Sequence, residues 1–110
     1  MVLTLAQSGF VTLTDNNETE LFNVASVKHY ATWLHVNQML AASKLVIRVF
    51  VLDDVSASQR KYLDVEIVGS QTVPAIFIPF VPSGSYRVTI QQTEPFGGPF
   101  HTFDFQRYET

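Results

Sequence analysis

Ser85-Tyr86-Arg87-Val88-Thr89-Ile90-Gln91-Gln92 sets Tyr86, Val88 and Ile90 against Ser85, Arg87, Thr89 and Gln91. Apolar and polar side chains alternate with a period of two, the repeat of a strand with one face in a core and one outside it. Lys61 to Val68 repeats the pattern, with Leu63, Val65 and Ile67 inward and Asp64 and Glu66 outward. Lys44 to Leu52 reads as a central strand: Leu45, Ile47, Val49 and Val51 form one face, and Val46, Phe50 and Leu52 crowd the other around Arg48.

Working outward, the chain divides into further short runs of strand formers. Met1 to Gln7 reads as an edge segment, separated by Gly9 from Phe10 to Thr14, in which Phe10, Thr12 and Thr14 oppose Val11 and Leu13. Asp15-Asn16-Asn17 is a turn signal, because short Asx side chains bond to local backbone. Thr19 to Val24 returns, with Leu21 and Phe22 as core candidates. Between Ser26 and Met39 two periods compete. A strand puts Tyr30, Thr32, Leu34 and Val36 on one face, whereas a helix gathers Trp33, Val36, Leu40 and Lys44. The β-branched and aromatic residues of the first half favour the strand, and Gln38 to Ser43 reads as a loop or short helical turn. Val73 to Val81 contains Pro74 and Pro79, which remove backbone donors and make it an edge or broken strand. Pro82-Ser83-Gly84 is a tight turn, Glu94 to Pro99 a Gly/Pro loop, and Phe100 to Tyr108 a last strand with Phe103 and Phe105 on one side.

Seven to eight short strands in 110 residues predict one all-β domain spanning residues 1–110. An antiparallel β-sandwich of the jelly-roll type is expected, with an immunoglobulin-like sandwich as the alternative. Charged residues make up only 15% of the chain, below the roughly 25% of ordinary domains, and aromatics 13%. The net charge of −3, without any Lys/Arg run, speaks against a nucleic-acid partner. With no cysteine, disulfides and thiolate metal sites are excluded. No signal peptide is seen, and no apolar run approaches the roughly 20 residues of a membrane helix, so no membrane partner is expected.

Chemistry finds little footing. His29 and His35 would lie about 20 Å apart on one strand, too far to share a metal, and His101 is remote in sequence. Asp64 and Glu66 would point to one face about 7 Å apart, a spacing some hydrolases use, but opposite a clean apolar row they read as a solvated face. Asp53-Asp54 could join a calcium site and more simply stops a strand. No nucleophile elbow or phosphate loop occurs. The chain is therefore expected to be non-enzymatic, with no catalytic residue, metal or cofactor.

Surfaces remain. Ile76, Phe77, Ile78, Phe80 and Val81 place apolar groups at nearly every position of an edge, so one face needs cover from another chain. Phe96 and Phe100 flank flexible glycines and suit docking onto a partner; the alternative is that they plug the end of the sandwich. Trp33 is expected in the core.

The stretches Gly9-Phe10-Val11-Thr12-Leu13, Thr19-Glu20-Leu21-Phe22, Phe77-Ile78-Pro79-Phe80-Val81-Pro82 and Ser85-Tyr86-Arg87-Val88-Thr89-Ile90 resemble, in texture over most of the chain, the small jelly-roll proteins among viral structural components, including capsid and decoration proteins. The resemblance implies a virion component that assembles with copies of itself, as a homo-oligomer or larger protein shell, and it transfers no catalytic residue. Cytoplasmic and extracellular locations are the alternatives to the virion. A second reading is a carbohydrate- or ligand-binding sandwich module, which would need exposed aromatics such as Trp33, Tyr30 or Tyr62 on a shared face with polar neighbours. A small enzyme such as a cupin-like barrel ranks last, because the histidines are scattered.

Overall fold

The computed structural model describes residues 2–52, 59–73 and 75–110, leaving aside the side chains of residues 79 and 80. Eight strands run in the order β1 (Thr4–Thr12), β2 (Thr19–Val24), β3 (Lys28–His35), β4 (Lys44–Val51), β5 (Arg60–Val68), β6 (Ala75–Ser83), β7 (Tyr86–Glu94) and β8 (Thr102–Glu109). They form two four-stranded antiparallel sheets, β1-β8-β3-β6 (sheet A) and β2-β7-β4-β5 (sheet B). Asp53, Asp54 and the connection that follows them to residue 58, with the calcium candidates they include, lie outside the described residues.

The pairing is nested. β1 pairs with β8, β2 with β7, β3 with β6, and β4 with β5, all antiparallel. The chain thus doubles back on itself as one long ribbon, whose successive strand pairs fall alternately in sheet A and sheet B. Two further pairings, β3 with β8 and β4 with β7, join the pairs within each sheet.

Alternation decides which faces meet. Tyr86, Val88 and Ile90 of β7, Leu45, Ile47 and Val49 of β4, Tyr30 and Leu34 of β3, and Phe103 and Phe105 of β8 are all buried in one shared core. Excluding these side chains from water drives the two layers together, at about 1.5–3 kcal/mol for each large apolar residue fully buried. Ile67 is buried, and Leu63 and Val65 pack against the same core. The ambiguous segment is a strand over Lys28–His35, with Tyr30, Thr32 and Leu34 inward and Val36 buried just beyond it.

Four details depart from the sequence expectation. β6 runs on through Pro82 to Ser83, where a tight turn is expected. Gly9 does not separate two segments: β1 runs through it, and Gly9 has no positive φ. A Cβ at this position would touch the Phe105 ring at ordinary contact distance, 3.6 Å from its Cζ. Phe22 is buried whereas Leu21 only packs against the core, because a register break between Glu20 and Phe22 interrupts the alternation. Trp33 is not in the core. Tyr30, Thr32 and Leu34 hold the inward row of β3, so strand parity turns Trp33 outward, 39% exposed.

Candidate functional site

The outward faces of the two sheets differ in chemistry. On sheet B they are laced with ion pairs. Arg48 of β4 donates from Nη1 to Glu18 Oε2 at 2.6 Å and to Gln91 Oε1 at 2.9 Å, and its Nε lies 3.8 Å from Asp64. Lys61 Nζ bonds Asp64 at 3.0 Å, and Lys44 lies 3.6 Å from Glu66. Arg87 Nε donates to Glu20 at 2.8 Å while its guanidinium sits 4.9 Å over the Phe50 ring. Asp64 and Glu66, the carboxylates at hydrolase-like spacing, are thus engaged by cations on a solvated face. Pairs this exposed add little stability, but they keep the surface soluble.

Sheet A presents the opposite surface. Its edge strands β1 and β6 contain no charged residue. Trp33 of β3 and Phe77 of β6 stand opposite each other in register, their rings tilted with centroids 5.0 Å apart and Phe77 46% exposed. Gln106 of β8 lies opposite Trp33 on one side and opposite Ser8 on the other, so one transverse row across the sheet reads Ser8, Gln106, Trp33, Phe77. Phe10 is 70% exposed opposite Asp104. Thr12 and Thr102 bond through their hydroxyls at 2.8 Å.

The segment singled out on β6 is divided by parity. Ile78 and Val81 are enclosed by the chain itself, and Ile76 packs on the core. Phe77 faces outward, and the side chain of Phe80 lies outside the described ones. In the loop between β7 and β8 the two rings also part: Phe100 packs against the core, and Phe96 is 73% exposed. Asn16, in the turn after β1, holds that loop. Its Nδ2 donates to the carbonyls of Gln92 (2.8 Å) and Pro95 (3.4 Å), and its Oδ1 accepts from the Gly97 amide (3.0 Å). The positive φ of Gly97 and Gly98 makes glycine the residue suited to the bend. Phe96 lies at this end of the sandwich, not on the aromatic row of sheet A.

Trp33, Tyr30 and Tyr62 do not share a surface. Tyr30 is fully buried, Trp33 faces outward on sheet A, and Tyr62 is exposed on β5 of sheet B. Tyr30 stacks instead on Tyr86, and its hydroxyl donates to the Ser26 carbonyl at 2.6 Å. Arg107 is also internal, its guanidinium 5.2 Å over the Phe22 ring and bonded to Glu109 at 2.8 Å, which in turn pairs with Lys28 at 2.8 Å. His101 lies against Ser43 Oγ at 3.3 Å. Among the described residues no three His, Asp or Glu side chains gather as a metal set, and no cavity opens. No described helix is long and apolar enough to cross a membrane.

Sequence reasoning missed Phe10. The signal was present in β1 itself, where Ser8 and Thr12 flank Phe10 on its own face and no residue of the strand is charged. In comparisons with known proteins, no family model matches the chain and no curated protein matches it significantly.

Proposed function

We propose that the chain is a non-enzymatic structural subunit of the jelly-roll type, a capsid or capsid-decorating component of a virion that acts through contacts between subunits. The observation that carries this reading is the partition of charge between the two outer faces. Sheet B is covered with ion pairs suited to water, and sheet A carries Phe10, Trp33 and Phe77 between edge strands with no charge at all. Exposed aromatics flanked by small polar residues mark a surface that meets protein.

The nested pairing supports the jelly-roll assignment. Eight strands wound as one folded ribbon, with partners alternating between sheets, correspond to two interlocked Greek keys. An immunoglobulin-like sandwich would place its first two strands side by side in one sheet. Here β1 and β2 lie in different sheets, and only β4 and β5 are sequence neighbours within one. The whole-chain likeness to small viral structural proteins supports the virion as the place of action.

Sedimentation velocity across a wide concentration range, with imaging of any native assembly, tests the reading. The wild type is expected to form a defined oligomer or shell. Replacing Trp33 and Phe77 by Lys should reduce its mass, and replacing Arg48 by Ala on sheet B should not. A strict monomer at every concentration would defeat the proposal. Trp33 and Phe77 with Gln106 beside them also favour a second reading, a carbohydrate-binding module. Specific glycan binding, abolished by Trp33→Ala in a protein that stays monomeric, would select it.

A further inference from the structure

A sandwich has four edges, and three of these carry a device that keeps another strand away. β5 bears Arg60, Lys61, Asp64 and Glu66. β6 contains Pro79 and Pro82 and has a register break opposite Tyr30 and Thr32. β2 is only six residues long, carries Glu20 and is broken between Glu20 and Phe22. β1 has nine residues, no charge and no proline. It pairs with β8 along one side, and no described strand pairs with the other. Its register break, between Leu5 and Gln7, leaves Gln7 to Thr12 as a regular ladder strand.

Strand parity assigns the open backbone groups. The Leu13 amide donates to the His101 carbonyl at 3.1 Å, so Leu13, and with it Val11 and Gly9, aim N–H and C=O at β8. In an antiparallel ladder the intervening residues aim theirs the other way. Ser8, Phe10 and Thr12 therefore turn their backbone donors and acceptors to the open edge. Their side chains share the outward face of sheet A, because Val11 and Leu13 pack on the core.

We propose that this edge joins two copies of the chain: β1 pairs antiparallel with β1 of a second copy about a two-fold axis at Phe10, making one continuous eight-stranded sheet, four strands from each copy. The inference rests on the assembly reading and names one of its contacts. An axis at Phe10 sets Phe10 against Phe10 of the copy, and Ser8 against Thr12 of the copy. Each open N–H and C=O of the three residues then finds a partner, and two exposed rings cover each other. The absence of charge points to a second copy as the occupant. A two-fold axis brings each residue to its own kind or to a symmetric neighbour, so a like charge on this strand would meet itself, and β1 has none.

The chain lacks cysteine, so Phe10→Cys would carry its only thiol. Hydrogen-bonded antiparallel partners have Cα atoms about 5.5 Å apart, within disulfide reach. Mild oxidation of this variant should give a covalent dimer, and of Tyr62→Cys, exposed on sheet B, a monomer. Ser8→Pro removes an edge-facing N–H and leaves the bonds to β8 intact, and Phe10→Lys places two ammonium groups at the axis. Each should at least halve the sedimenting mass, with an unchanged circular dichroism spectrum as proof of folding. The proposal is overturned if Phe10→Cys cross-links no faster than Tyr62→Cys, or if both edge variants sediment like the wild type. An assembly that persists in those cases leaves the structural reading intact on another face. A wild type that is monomeric throughout removes both.

Discussion

Tyr86 of sheet B lies face to face with Tyr30 of sheet A, ring centroids 5.0 Å apart and planes 11° from parallel, and its hydroxyl meets Thr32 Oγ1 at 3.0 Å. Two sheets between which no described strands pair are here joined by a stacked pair and a buried side-chain bond. Burial raises the Tyr86 phenol from 10.0 to about 12, against the smaller opposing effects of the Thr32 bond and Arg107.

That shift fixes the sign of a pH dependence. The folded state holds the neutral phenol more tightly than the unfolded chain does, so the stabilisation is complete below pH 10 and is lost as pH rises from 10 towards 12. Urea midpoints measured from pH 8 to 12 should fall over that window in the wild type and less steeply in Tyr86→Phe. At neutral pH the substitution should cost about 1–2 kcal/mol, because it leaves the buried Thr32 hydroxyl without its partner. A variant as stable as the wild type would contradict this account.

Gly9→Ala tests the continuity of β1. The backbone there has no positive φ, and a Cβ would meet the Phe105 ring at ordinary contact distance, 3.6 Å. Alanine should therefore be neutral or stabilise by up to about 1 kcal/mol through the reduced freedom of the unfolded chain. A loss of more than about 1 kcal/mol in chemical denaturation would mean that Gly9 serves as a bend.

Ile90→Ala and Phe10→Ala delete apolar groups from opposite environments. Ile90 is fully buried, and its truncation should cost about 2–5 kcal/mol. Phe10 is mostly exposed, so in dilute protein its truncation should change folding stability by less than about 0.5 kcal/mol. Equal costs in urea unfolding would refute the assigned faces of β1 and β7.

Asn16→Ala removes the side chain that bonds Gln92, Pro95 and Gly97. A loss of about 1–2 kcal/mol is expected, together with faster chymotryptic cleavage after Phe96. Unchanged cleavage kinetics would show that the loop is held by other contacts.

The rows that specify the sandwich were readable as soon as alternation was counted. Tyr86, Val88 and Ile90 are inside, as are Leu45, Ile47 and Val49, because alternation sets each row on the face that meets the other sheet. Trp33 lies outside the core that its hydrophobicity predicts for it. In β3 both parities carry an aromatic, Tyr30 on one and Trp33 on the other, and hydrophobicity alone does not choose between them. The choice is made by packing: Tyr30 stacks on Tyr86, a residue 56 positions away in sequence, and Trp33 is left to meet Phe77 outside. The chemistry of the outer face of sheet A was hidden for a related reason. Phe10, Trp33 and Phe77 sit in three strands whose adjacency depends on strand order, and periodicity within a strand carries no record of its neighbours.

Nesting also dictates a sequence of events during synthesis. Thr12 bonds to Thr102, 90 residues further along the chain, and the rest of β1 waits for the same late strand. During translation β1 emerges early and stays without a partner on either side until β8 has left the ribosome. An uncharged strand in that condition has two edges open to a neighbouring nascent chain instead of one. Slow closure of such distant contacts makes crowded polysomes the setting in which mispairing competes with native folding, and dilute expression the condition that favours the correct product.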